Sequence, residues 1–200
     1  KIYIVEALIM KRIVALSLVL FTASIHAEIV VPAKYLDPAN GYDIKQTPQR
    51  LSQENPFIVE MAYSAGGNEH RENWHTKCGY ETNYTTGFDE IICDTRQNNL
   101  MILTHGDFKK SVVFMDAFQG ADRFKTKVNL KLDGGNVIAG IPADLLGDNQ
   151  TDIILRKLEG GKELIYTWKK ANGQFEKVKI DLYGLKESLE FVDALKTANR

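Results

Sequence analysis

An all-β fold, mainly antiparallel and built as blade-like hairpins or a sandwich, with one C-terminal amphipathic helix, is what this sequence predicts. Three observations carry it. Short stretches alternate apolar and polar residues with a period of two. Breaks rich in glycine and asparagine separate those stretches. The final stretch, "LKESLEFVDALKTANR" (185–200), switches to the helical period.

From the front of the chain, Met10 begins "MKRIVALSLVLFTASIHA". A short positive end (Lys11, Arg12), an apolar run and a closing small residue are the order of a secretory signal. The run is about half of the roughly 20 residues a spanning helix needs. Residues 1–27 are therefore read as upstream residues plus a cleaved signal peptide (10–27). Residues 28–200 are read as a single exported β-rich domain with no stable membrane anchor once the signal is removed. Residues 28–55 carry Pro32, Pro38 and Pro48 and read as irregular, with one helical turn in "TPQRLSQ".

Strands are expected from there on. "FIVEMAY" (57–63) is β-rich. "KVNLKLD" (127–133) places Val128, Leu130 and Leu132 on one face, and "FEKVKIDLY" (175–183) does the same with Val178, Ile180 and Leu182. "DGGN" (133–136), "EGG" (159–161) and "ANG" (171–173) read as hairpin turns, because glycine and asparagine tolerate positive φ. In the last segment Leu185, Leu189, Val192 and Leu195 form one helical stripe. Lys186, Glu187, Glu190, Asp193 and Lys196 lie opposite, so the helix is expected to dock on the sheet.

Charge narrows the function classes. Residues 28–200 hold 22 basic and 25 acidic side chains, with no basic stripe. Nucleic-acid binding rests on neutralising phosphates and is disfavoured. No Gly-x-Ser-x-Gly elbow and no His-Glu-x-x-His pair is present.

"NEHRENWHTKCGYETNYTTGFDEIIC" (68–93) holds both cysteines and two of the four histidines. In an exported chain Cys78 and Cys93 are expected to form a disulfide. Closing a loop of that length stabilises by about 3 kcal/mol. The rival is a metal site of His70, His75, Cys78 and Cys93, since zinc accepts nitrogen and thiolate ligands. The stretch 68–88 is read as a polar loop with Trp74, Tyr80 and Tyr84 as aromatic anchors for a protein partner.

A weak repeat runs through the chain. "GDFKKSVVF" (106–114) aligns without a gap on "GDNQTDIIL" (147–155), and "GFDEIIC" (87–93) is a shorter version. Each reads as a turn leading into a buried strand. Second strands follow in "NLMILTH" (99–105) and "ELIYTWK" (163–169). "ADLLGDNQTDIIL" (143–155) resembles the FG-GAP/VCBS type of β-propeller repeat, whose acidic loop often holds calcium. The resemblance implies Asp144, Asp148 and Asp152 as calcium ligands, with Gly147 and Asn149 in the turn. Leu146 departs from the pattern by standing where an oxygen ligand is expected. Calcium wants six to eight oxygens, so side-chain-to-backbone hydrogen bonds are the other way of holding this loop. No other cofactor is expected.

These features predict an exported, non-enzymatic domain, periplasmic or secreted, that binds another protein. A concrete form is a periplasmic immunity protein neutralising a cognate toxin. The alternatives are a secreted hydrolase using His70, His75 or His105 as base, and a calcium-steadied surface or adhesion module.

Overall fold

The computed structural model describes residues 29–48, 57–63, 74–82, 87–118, 126–146 and 149–200. The expected leader, His70, Tyr84 and Asp148 lie outside them. Eleven strands are described: β1 (Tyr42–Pro48), β2 (Phe57–Tyr63), β3 (Trp74–Thr82), β4 (Asp89–Gln97), β5 (Leu100–Thr104), β6 (Lys110–Phe114), β7 (Lys127–Leu132), β8 (Val137–Pro142), β9 (Asp144–Leu146), β10 (Glu163–Lys169) and β11 (Phe175–Asp181). The helices are α1 (Met115–Phe118), α2 (Asn149–Glu159) and α3 (Leu185–Ala198). A mainly antiparallel β fold with a C-terminal helix is thus what the chain forms.

The strands make two sheets. A seven-stranded sheet runs β1-β2-β3-β4-β5-β6-β9, and a four-stranded sheet runs β11-β10-β7-β8. All their pairings are antiparallel. The larger sheet is a meander through β6, as expected when sequential strands are joined by hairpins. Expected turns at 133–136 and 171–173 are present: Asp133, Gly134 and Gly173 all have positive φ. Asp133 also accepts N–H bonds from Lys162 and Glu163, both 2.8 Å.

Two buried clusters hold the sheets together. The first joins both sheets to α2 and the start of α3 through Leu100, Phe114, Leu130, Leu158, Tyr166 and Leu189, among others. The second lies between α3 and strands β2–β4, with Val59, Met61, Ile91, Phe191, Val192 and Leu195. The predicted stripe of Leu185, Leu189, Val192 and Leu195 is wholly buried. Each such side chain contributes about 1.5–3 kcal/mol. Gly184 starts the helix with φ 85°, and a Cβ there would stand 2.8 Å from the Tyr63 ring, so this junction needs glycine.

The two ends of the described chain are clasped. Val30 N–H donates to Asn199 Oδ1 (2.7 Å), while Asn199 Nδ2 donates back to the Val30 carbonyl (2.8 Å) and to that of Leu195 (2.7 Å). The clasp seats Ile29 and Val31 in the second cluster.

Four expectations are corrected. "GDNQTDIIL" does not lead into a strand: 149–159 is a helix, and "EGG" ends it instead of turning a hairpin. Thr151, Ile154, Leu155 and Leu158 are the buried residues. That is the i, i+3, i+4, i+7 set, which a window ending at Leu155 cuts short. Residues 42–48, expected to be irregular, form β1. Pro48 is tolerated there because β1 is an edge strand ending at that residue. Residues 74–82, expected as loop, form β3 inside the large sheet. Lys196, expected on the wet face of α3, is 3% exposed.

Candidate binding surface on the seven-stranded sheet

Alternation gives strands β1–β4 two faces. The inner face carries Ile44, Met61, Thr76 and Thr95 in one row, and Val59, Cys78 and Cys93 in the next. Cys78 and Cys93 sit directly opposite each other and form a disulfide, with their Cα atoms 4.1 Å apart. Bonded to each other, they are not metal ligands. His75 is on the opposite face of β3, so it does not share their site. The disulfide fits an oxidising compartment. No helix among the described residues is long and apolar enough to cross a membrane.

The outer face is different. One row across it reads Lys45–Glu60–Lys77–Asp94, each directly opposite the next. The row beside it reads Asp43–Ala62–His75–Arg96. Together these residues line an open groove of about 390 Å³. Charges alternate in sign across the first row, which is the favourable cross-strand arrangement. Within strands, Lys45 pairs with Asp43 (3.8 Å) and Arg96 with Asp94 (3.1 Å). Burial holds the Asp94 carboxyl above its usual range, against the pull of Arg96 and Lys77. Its Oδ1 is buried with no hydrogen-bond partner among the described residues. The rows lose their charge at β5, where Leu103 and Met101 stand opposite Asp94 and Arg96.

The aromatic residues singled out in the sequence do not gather on this surface. Trp74 and Tyr80 point to the inner face. Trp74 is fully buried, and its indole donates to the Asp181 carbonyl (3.2 Å), tying the two sheets together. Tyr80 packs half-buried against the second cluster. A different aromatic set meets at the sheet corner. Tyr35 lies edge-on to Tyr42 (4.8 Å) and Phe191 (5.0 Å), and Tyr42 is 4.8 Å from Tyr63. Burial, helped by Tyr35 and Tyr63, pushes the Tyr42 phenol up to about 12. Tyr63 and Phe191 are distant in sequence from Tyr35 and Tyr42, and no local pattern announces the set. Tyr35 and Tyr42 also line a second hollow of about 380 Å³ beside β1, which shares Asp43 with the groove.

The histidines are separated. His75 is exposed in the groove. His105 Nε2 lies 3.1 Å from Ser111 Oγ, within reach for a base and a nucleophile. Ser111, however, is only 3% exposed within the sheet. The His105 carbonyl accepts from Lys196 Nζ, which burial pulls from 10.5 to about 8. Of the residues implied for calcium, Asp144 lies in β9 and Asp152 is exposed in the first turn of α2. Among the described residues no group of three or more His, Cys, Asp or Glu side chains is placed to hold a metal ion.

No family model matches the chain, and no curated protein matches it. Among solved structures, invasion-associated protein B from Bartonella henselae is similar over 79% of this chain and 95% of that one. The identity is 15% and the TM-score 0.33. A likeness that weak decides neither fold nor function.

Proposed function

We propose that this is an exported, non-enzymatic domain that binds another protein through the outer face of its seven-stranded sheet. The groove of paired charge rows carries the reading. Lys45, Lys77 and Arg96 balance Asp43, Glu60 and Asp94, so the surface has strong local charges whose signs cancel. Such a surface gives little pull to a polyanion or an anionic lipid surface. It rewards a partner whose own charges match in position, and it penalises one whose charges do not. An immunity protein that caps a toxin in the envelope is the specific form we favour: the disulfide suits that compartment, and charge-matched surfaces suit fast, selective capture.

The test uses Lys77→Glu and Arg96→Glu in the full chain. Both side chains are exposed on the groove, Lys77 on β3 and Arg96 on β4, so the fold should survive, as circular dichroism will report. Crosslinking in the native envelope should capture a partner with the wild-type chain and lose it with either variant. A candidate toxin encoded beside this protein should bind the wild type alone. Equal capture by wild type and both variants would move the interface elsewhere. Turnover of an envelope substrate that is abolished by His105→Ala would overturn the non-enzymatic reading.

A further inference from the structure

The charge rows meet a neutral boundary at β5 but none at their other end. They run out at β1, the open edge of the large sheet, where Lys45 ends one row and Asp43 ends the other. No described segment pairs with β1 on its far side. An unpaired edge is a template for another strand. The pattern already written across β2, β3 and β4 says what that strand should carry. It needs an acid opposite Lys45 and a base opposite Asp43, with one residue between them.

Strand β1 itself has that pattern. Asp43-Ile44-Lys45, run antiparallel against a second copy about a two-fold axis at Ile44, sets Asp43 opposite Lys45 and Lys45 opposite Asp43. We infer that β1 is a self-complementary edge through which two copies of this chain form a continuous fourteen-stranded sheet.

The chemistry selects the register. A slip of two residues one way sets Asp43 against Asp43, and the other way sets Lys45 against Lys45. Both are repulsive across strands. In the Ile44-centred register, Pro48 falls opposite Asn40, outside the partner's strand, so its missing N–H is not asked for. Ile44 meets Ile44 on the inner side, and Tyr42 meets Gln46. All four charges remain on the outer face. The dimer sets two grooves side by side on one face, related by the two-fold.

The experiment is sedimentation of the full chain across a concentration series, for wild type, Asp43→Lys, Lys45→Asp and the double swap. The wild type should dimerise with concentration, and added salt should weaken the dimer. Each single swap replaces two attractions by two repulsions and should weaken association by about tenfold or more. The double swap rebuilds both pairs with the signs exchanged and should return close to wild type. Amide exchange gives a second readout without substitution: β1 amides should gain protection as the concentration rises. A wild type that stays monomeric throughout, or single swaps that associate as wild type does, would overturn the inference. A double swap that fails to recover while folded would do the same.

Discussion

On β3, Trp74, Thr76 and Cys78 point one way, and His75 and Lys77 point the other. The first three are at most 1% exposed; the other two are open to solvent. The same strand thus serves two purposes at adjacent positions. Its inner side holds α3 and the second sheet in place, and its outer side displays charge. Packing sets the first side, where volume and satisfied polar atoms matter. Cross-strand charge order sets the second, where single residues contribute little to stability and much to selectivity.

Substitutions should break this contrast in graded steps. Trp74→Ala removes the largest inner-face side chain and the bond to the Asp181 carbonyl. We expect it to cost about 3–5 kcal/mol in a denaturant melt, enough to unfold a marginal domain. Replacing both Cys78 and Cys93 by alanine should cost about 3 kcal/mol, with the same measurement made beside a reductant control.

Lys196→Met should act in the opposite direction. In the folded chain this ammonium loses its proton near pH 8, against 10.5 ordinarily. Between those values the unfolded chain holds the extra proton, so wild-type stability rises with pH across that window. Methionine should add about 2 kcal/mol at pH 7 and flatten the rise. The His105 carbonyl keeps the Phe108 N–H as a donor (3.0 Å), so no acceptor is orphaned. Urea melts at pH 7 and pH 10 measure both effects; an unchanged pH slope would show that the wild-type rise has another source. Smallest of all, Lys77→Glu on the outer face should shift stability by less than about 1 kcal/mol. If it destabilises as strongly as the inner-face changes, the two faces are not separate in function.

The inner face was largely legible in the sequence. The β-rich make-up of "FIVEMAY" and the alternation in "KVNLKLD" and "FEKVKIDLY" announced strands, and the leucine stripe announced α3, because burial imposes a period on the residues it selects. The disulfide followed from compartment and count. Helix α2 was misread because Ile153, Ile154 and Leu155 satisfy a strand window, and the deciding residue, Leu158, stands beyond it. Strand β1 was missed because Pro38 and Pro48 read as breaks, and an edge strand tolerates at its end a proline that an interior strand does not. The outer face was not legible at all. Asp43, Glu60, Lys77 and Asp94 look like scattered surface charges until the register lines them up, and register depends on pairings between distant segments. Trp74 and Tyr80 drew notice as aromatic residues near the cysteines. Their parity on β3 turns them inward.

The amide of Asn199 grips the backbone of Val30. A change made just after the last helix will therefore be felt at the segment around Val30, about 170 residues earlier in the chain. Replacing Asn199 by alanine should loosen Ile29 from beneath α3 and open the segment around Val30 to proteolysis.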